Sequence, residues 1–390
     1  MPAAVRALFD ASLAVVRRSS SGTVALARLA GIVDLDAVPE RYREPVAREL
    51  DAALAATGDP LPLAKVERQL RSAWGAPPAN VLDALESEPL AVTASAQVHR
   101  GERDGRAVAV KVRRPGLAAA VRSDLGLLDA LGPPLHRVFG ALDAGALLSE
   151  ARERMLDELD LEDVGATQQR LARATRRLDG ISVPGVDTEL SAPGVLVSEL
   201  FEGPTLAAVA PGDPGAVARA LVAFSLGAPR AVALAAADPR PDHVVLLRRG
   251  GIGLLGTGAA RAVSRERFDA ALDALAALRD GERDAFGAAV ERMALLPANA
   301  TPDAFDLIDE LFGHLVRGPA RLDAGVLRDL TERALAALPR ALPLTDRLTP
   351  DPADLWPLRM LGQLAALLGR LDTTEDWGAL ALAAGRRGWI

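Results

Sequence analysis

Cysteine is absent from this chain, and lysine and aromatic residues are scarce. The absence of thiols excludes disulfides, cysteine nucleophiles and thiolate metal sites. Aromatic residues make up only 3% of the sequence, so Ala, Leu and Val must form the core through many small contacts. No uninterrupted apolar stretch approaches about 18 residues, and the sequence therefore predicts no transmembrane helix.

The chain has 390 residues, a length that fits two or three packed units better than one core. Its net charge of -7 gives no general attraction to nucleic acid, which we do not expect as a partner. The opening segment MPAAVRALFDASLAVVRR lacks the features of a signal peptide, and its apolar residues follow helical spacing. We therefore expect an amphipathic helix there and a cytoplasmic protein.

The apolar pattern divides the chain into three regions. Residues 1–86 are predicted to form a helical extension, residues 87–200 a small lobe that contains strands, and residues 201–390 a helical lobe. Asp104-Gly105 lies between two alternating runs and predicts a hairpin. This order predicts an α+β fold with two lobes, as in protein kinases. Further helices are predicted at 41–56, 116–130 and 142–177, and strands at 181–186, 194–200, 244–247 and 252–255.

Four short segments form an ordered set of motifs along the chain. PLAVTASAQVH, at 89–99, is rich in small residues. Lys111, in VAVKVRRPG, is one of only two lysines in the chain, which favours a requirement for a compact ammonium group at this position. The other two segments are Glu158-Leu159-Asp160, which we place inside a long helix, and GVLVSELFEGPTL at 194–206.

In this combination and order, the segments resemble the UbiB/AarF family of atypical protein-kinase-like proteins. The resemblance extends over roughly residues 20–377. It implies that Lys111 pairs with nucleotide phosphates and that the hinge backbone meets the adenine edge. It also implies ATP or ADP as ligand, a protein partner, and an accessory role at the membrane periphery in isoprenoid quinone or lipid metabolism. The residues carried over are Ala91, Thr93, Ala94, Gln97, Lys111, Glu199 and Phe201 for the nucleotide, and Glu158, Asp160, Gly203 and Gly258 as structural motif positions.

The departures from the family pattern fall at positions that carry chemistry. The KxGQ motif is replaced near Leu26 and Leu29, and a glutamate expected to pair with Lys111 is replaced by Val164. In the catalytic loop ADPRPDHV, Asp238 is kept, but His243 stands at the asparagine position. In the metal-binding Asp-Phe-Gly motif, Gly256 replaces the aspartate.

Loss of the carboxylate at position 256 removes the main protein ligand of a phosphate-bound metal ion. Imidazole is a poor Mg²⁺ ligand and is better suited to zinc or iron, so we do not expect Mg²⁺ here. The first hypothesis is a pseudokinase with weak or metal-independent nucleotide binding. The second is an active kinase or ATPase with Asp238 as base and an atypical metal site, and the third is a scaffold without ligand. A metal site built from His243, Asp238 and Asp242 is less favoured than a solvated loop.

Overall fold

The computed structural model describes residues 35–55, 59–138, 143–176, 178–235 and 238–389, together with the isolated residues 11 and 14. Leu26 and Leu29, at the replaced KxGQ motif, lie outside the described residues, as does most of the predicted amphipathic N-terminal helix. The described chain runs through two helices, a small antiparallel sheet with helices inserted in it, and a large helical half.

The N-terminal extension contributes helix α1 (Glu40–Ala55) and helix α2 (Leu63–Trp74), so the helix predicted at 41–56 is confirmed. Helix α2 is strongly amphipathic, because Val66 and Leu70 recur on one face at helical spacing. Both side chains are fully buried against the sheet, where they share a core with Val110 and Val112. The extension is therefore packed onto the small lobe rather than separate from it.

The small-lobe sheet has five antiparallel strands in the order β1-β2-β3-β6-β5. The predicted hairpin is confirmed, since Asp104 and Gly105 join β2 and β3 with φ values of 52° and 69°. The sequence pattern missed β5 and began β1 too late, because both are edge strands with little alternation. The five strands are β1 (Ala84–Val92), β2 (Ala96–Arg103), β3 (Arg106–Arg113), β5 (Val186–Ala192) and β6 (Val195–Glu199).

The helix predicted over 142–177 is wrong as a single element. Asp160 interrupts it, because its side chain accepts a hydrogen bond from the backbone N–H of Glu162 and so caps a new helix. Glu158-Leu159-Asp160 thus forms a junction between two helices instead of lying inside one. The helices inserted between β3 and β5 are α3 (Leu117–Asp124), α4 (Gly132–Val138), α5 (Ala144–Asp157) and α6 (Leu161–Thr175), and a 3-10 turn covers Leu125–Leu131.

The helical lobe is built around α7 (Pro214–Val232), which packs against a three-stranded sheet ordered β4-β9-β8. This sheet includes only the start of the strand predicted at 181–186, because the chain then crosses to β5 in the other sheet. The remaining strands are β4 (Ile181–Ser182), β7 (Leu234–Ala235), β8 (Val244–Leu246), β9 (Ile252–Leu254), β10 (Arg261–Ala262), β11 (Ala320–Leu322) and β12 (Thr373–Glu375). The remaining helices are α8 (Arg265–Asp280), α9 (Arg283–Arg292), α10 (Thr301–Val316), α11 (Ala324–Thr345), α12 (Leu355–Leu371) and α13 (Trp377–Arg387).

Helix α7 is the one helix among the described residues that is long and apolar enough to cross a membrane. Its Val217, Leu221 and Phe224 are buried in the core of the helical lobe. Length and composition alone are weak support for a membrane span, since a core helix meets the same criteria. The architecture as a whole is a kinase-like bilobal α+β fold.

Candidate nucleotide cleft

Lys111 lies on β3, where it pairs with Val98 on one side and Leu196 on the other. Directly paired residues of neighbouring strands point to the same face of a sheet. Leu196 packs against Leu161 and Val164 of α6, so the Lys111 face of the sheet is the face that α6 covers. The strand assignment of Lys111 made from the sequence is confirmed.

Gln97 lies on the opposite face of the sheet from Lys111. It pairs with Val112, one residue away from the Lys111 register, and side chains alternate between faces along a strand. Gln97 is fully buried, and its amide exchanges hydrogen bonds of 2.7 and 3.2 Å with the backbone N–H and carbonyl of Leu61. The structure thus places Gln97 on the sheet face opposite Lys111, which does not fit the predicted nucleotide contact, and makes it the anchor of the N-terminal extension.

His99 completes this buried polar contact. Its Nδ1 lies 2.9 Å from the carbonyl oxygen of Glu86, and a carbonyl can only accept, so Nδ1 carries the proton. Nε2 of His99 is then the acceptor for the Gln97 amide at 2.8 Å. His99 is therefore a core histidine with both ring nitrogens satisfied.

The turn between β1 and β2 is closed by its own atoms. Thr93 donates its backbone N–H to the Ala96 carbonyl at 2.8 Å, and its hydroxyl accepts the Ala96 N–H at 3.0 Å. Arg114 holds the turn from outside with a 2.9 Å bond to the Thr93 carbonyl. Thr93 therefore stabilises the turn, while Ala94 lies within it and Ala91 lies in β1 opposite Val98.

The hinge segment leaves β6 at Glu199 and rests on the strands of the helical lobe. The Phe201 ring covers Gly253 of β9 so closely that a Cβ atom at 253 would lie 2.8 Å from Cε2 of the ring. Gly203 has a φ of 150°, and a Cβ atom there would lie 3.1 Å from the carbonyl carbon of Leu246 and overlap its oxygen. Glycine is therefore required at position 203, where the sequence predicted a structural role.

Val164 occupies the α6 position where the family pattern has a glutamate. It is buried with Leu161 and Leu196, and it packs directly on Gly258. A Cβ atom at 258 would lie 2.6 Å from Cγ1 of Val164, so the valine methyls fill the space above this glycine. Helix α6 is thus joined to the turn after β9 by an apolar contact.

His243 fills the space beside Gly256, where the family pattern has the metal-binding aspartate. Gly256 has a φ of 69°, and a Cβ atom there would lie 2.6 Å from Cε1 of His243 and overlap Nδ1. His243 Nδ1 lies 3.1 Å from the carbonyl oxygen of Asp238 and must donate to it, which leaves Nε2 to accept from the guanidinium of Arg240. Burial and the neighbouring Arg240 charge lower the pKa of His243 to about 4, so the ring is neutral at pH 7.

Asp238 is buried and already surrounded by donors. Gln363 of α12 donates to its Oδ1 at 3.0 Å, Arg240 Nε lies 3.3 Å from Oδ2, and Arg359 lies 3.6 Å from Oδ1. Arg240 also lies 3.2 Å from Asp242. The guanidinium groups of Arg240 and Arg359 therefore already lie beside the carboxylate where a metal ion would bind.

The residues around Asp238 do not fit a divalent metal ion. Gly256 offers no side-chain oxygen, and both ring nitrogens of His243 are used in hydrogen bonds. No group of three His, Asp or Glu side chains arranged to hold a metal ion occurs within the described part of the chain.

The neutral state of His243 predicts a loss of stability in mild acid. The unfolded chain takes up a proton near the ordinary pKa of 6.5, whereas the folded protein resists protonation until about pH 4. We expect the free energy of unfolding to fall by about 1 to 3 kcal/mol as the pH is lowered through this window. Urea unfolding between pH 4 and 7.5 measures it. His243→Asn should lack this component, and equal pH slopes in the two proteins would contradict the assignment.

Comparison with known proteins agrees with this geometry. The family profile of the ABC1 atypical kinase-like domain matches residues 53–288, more than half of the chain. The chain belongs to this family. The predicted resemblance to UbiB/AarF proteins is thereby confirmed for this ABC1-family protein.

The relatives align over part of their own length. AarF domain-containing protein kinase 1 of Xenopus tropicalis is 32% identical over 143 residues, which cover 36% of this chain and 27% of the relative. The "Atypical kinase coq-8, mitochondrial" of Caenorhabditis elegans is 28% identical over 200 residues, which cover 50% of this chain and 25% of the relative. The chain thus spans about a quarter of the length of these relatives.

A solved structure shares the fold over most of both chains. The complex of Rv3197 with erythromycin from Mycobacterium tuberculosis superposes with a TM-score of 0.65 at 23% identity. The match covers 92% of this chain and 89% of that chain. At this identity the likeness shows the fold alone.

Sequence reasoning missed the residues of α12 that complete the site. Arg359 and Gln363 both reach Asp238 from a helix more than a hundred positions away. Their spacing of four residues, which places both on one helix face, was the available signal. That spacing does not say which face meets which loop.

Proposed function

We propose that this ABC1-family protein is a pseudokinase that does not carry out metal-dependent phosphoryl transfer. The observation that carries the proposal is the position of the His243 ring, which fills the space beside Gly256 and accepts a hydrogen bond from Arg240. Phosphoryl transfer needs a metal ion to bridge and neutralise the phosphates. A neutral imidazole and a guanidinium at that place remove both the ligands and the room for such an ion.

The proposal keeps ATP or ADP as a weak ligand bound without metal. Lys111 supports this part, because it is half-buried on the α6 face of the sheet and is one of only two lysines among the 45 Lys and Arg residues. An ammonium group can pair with phosphates in the absence of a metal ion. The hinge around Glu199 and Phe201 supplies the adenine side of the cleft.

The role that follows is accessory or regulatory rather than catalytic. We propose that it belongs to isoprenoid quinone or lipid metabolism, with a protein partner and a position at the membrane periphery. Support comes from family membership and from the similarity to the protein named "Atypical kinase coq-8, mitochondrial".

Nucleotide binding is tested by thermal shift with ATP and ADP, each with and without Mg²⁺. A ligand at 100 times its Kd stabilises the folded state by about 2.7 kcal/mol, which corresponds to a shift of several degrees. We expect a shift that is equal with and without Mg²⁺ and that is lost in Lys111→Met. A larger shift in Mg²⁺ would contradict the metal-free site and favour the active enzyme with Asp238 as base.

Lys65→Met is the matched control for Lys111→Met. Lys65 is the only other lysine, and it is exposed on α2 at the far side of the sheet. Its substitution should leave the nucleotide shift unchanged. A loss of the nucleotide-induced thermal shift in both variants would show that the effect of Lys111→Met is not specific to a phosphate contact at Lys111.

The second candidate is a scaffold without ligand. The Phe201 ring packed on Gly253 and the self-closed turn at Thr93 favour it, because both place protein atoms at the edges of the cleft. The same thermal-shift series decides between the two. No shift with any nucleotide, with or without Mg²⁺, would reject nucleotide binding and leave the scaffold.

A further inference from the structure

A buried ion pair joins the two lobes at the helix junction after α5. Glu158 lies in this junction with only 7% of its side chain exposed. Its Oε1 lies 3.3 Å from NH1 of Arg359 on α12 and 3.8 Å from NH2 of Arg261 on β10. The small-lobe carboxylate is therefore held by two guanidinium groups of the helical lobe.

Arg359 also reaches the catalytic loop with its other nitrogen. NH2 of Arg359 lies 3.6 Å from Oδ1 of Asp238, whose side chain is likewise only 7% exposed. A guanidinium carries its donors in a rigid planar fork, so one side chain can pair with two carboxylates at once. Arg359 is thus the common partner of two acids that come from different lobes.

The Trp356 ring packs against both arginines that pair with Glu158. The guanidinium carbons of Arg261 and Arg359 each lie 5.7 Å from the centre of its ring, within the range of cation–π attraction. Its indole N–H donates to Glu150 of α5 at 2.9 Å, which adds a second link between α12 and the small lobe. The ring contacts both guanidinium groups, and the two acids that pair with Arg359 are only 7% exposed, so low local polarity strengthens these ion pairs.

We propose that Arg359 is an internal clamp that fixes the two lobes relative to each other through Glu158 and Asp238 without any bound ligand. This gives both acids a task that does not depend on catalysis. Each is a position of the family pattern that stays acidic while Val164, His243 and Gly256 have changed. The clamp is independent of nucleotide binding, so either proposal can fail alone.

A mutant cycle in two backgrounds tests the clamp. Glu158→Gln, Asp238→Asn and the double variant are compared by equilibrium unfolding, first with Arg359 and then with Arg359→Met. We expect a coupling between positions 158 and 238 of about fivefold or more in the unfolding equilibrium constant, and its loss in Arg359→Met. In the protein that keeps Arg359, the double variant could change the unfolding equilibrium constant by the product of the two single effects, to within about twofold. That result would overturn the clamp, because two independent local pairs behave in this way.

Hydrogen exchange provides a second readout that a local packing defect would not move. Arg359→Met should raise exchange together at residues 158–162 and 238–244, which lie in different lobes. Arg292→Met is the matched control, since Arg292 pairs with Asp273 on a half-exposed surface and should change neither segment. Exchange that rises at only one of the two segments would reject the clamp.

Arg359→Lys keeps the measurement informative should Arg359→Met fail to fold. Lysine retains the charge but lacks the planar fork, so we expect a folded protein in which the coupling between positions 158 and 238 is reduced. Full coupling in Arg359→Lys would show that the bridging geometry of the guanidinium is not required, which contradicts the mechanism proposed.

Discussion

Gly256→Asp is expected to destabilise the protein by about 3 kcal/mol or more and to leave it unable to bind Mg²⁺. The new Cβ atom would overlap the His243 ring, which must then give up its hydrogen bonds to Asp238 and Arg240. Restoring the family's aspartate alone therefore does not restore the site. The melting temperature and Mn²⁺ or Mg²⁺ titration of the variant measure the two parts of this expectation.

Gly75→Asp separates crowding from backbone strain. Gly75 has the same φ of 69° as Gly256, but nothing lies within 4 Å of the position where its Cβ would be. Its substitution should cost only about 1 to 2 kcal/mol for the left-handed backbone. The pair Gly256→Asp/His243→Asn removes the ring and should recover most of the lost stability. Equal losses in Gly256→Asp and Gly75→Asp would refute the overlap with His243.

Val164→Glu is the second substitution with a large expected effect. It places a carboxylate among Leu161 and Leu196 and against Gly258, where the valine methyls now fill the space. An uncompensated buried charge is strongly unfavourable, and we expect the free energy of unfolding to fall by about 3 kcal/mol or more. Urea unfolding at pH 7 measures the change.

Val164→Gln is the control of similar size without charge, so the difference between the two variants isolates the carboxylate. Lys111→Met in the Val164→Glu background tests whether the new acid finds the lysine. We expect Lys111→Met to add no further loss beyond its effect in the wild type. Two results together would contradict the buried-charge expectation: Val164→Glu is as stable as Val164→Gln, and Lys111→Met further lowers the free energy of unfolding in the Val164→Glu background. They would show that the ion pair between positions 111 and 164 forms again.

Two departures from the family pattern, His243 and Val164, pack against glycines of the segment 256–258. His243 fills the space beside Gly256, and Val164 fills the space beside Gly258. Each of these two side chains therefore has its steric partner within the altered metal motif. This explains why reversal of one position is expected to be costly, since close packing leaves no room for a single added side chain.

Local patterns in the sequence were enough for several features. Alternation and Asp104-Gly105 specified the hairpin that carries Lys111, and helical spacing specified the amphipathic α2. These features follow from neighbours along the chain, because strand and helix periods depend only on backbone geometry. The resemblance to UbiB/AarF proteins located the replaced residues His243 and Gly256, and the order of helices and strands predicted the kinase-like fold.

Other features were decided by residues that are distant in sequence. The sequence predicted that Gln97 contacts a nucleotide, but in the structure its side chain points to the other face of the sheet and bonds to Leu61. The register of β2 and β3 decides this, because it assigns each side chain to one face of the sheet. Glu158 and Asp238 could be recognised as acids, whereas their shared partner Arg359 could not. The sequence by itself determined the hairpin, the amphipathic α2, the family and the positions that depart from the family pattern. Only the tertiary structure decided what fills the vacated space and which cations hold the remaining acids, because these contacts depend on how separate elements pack.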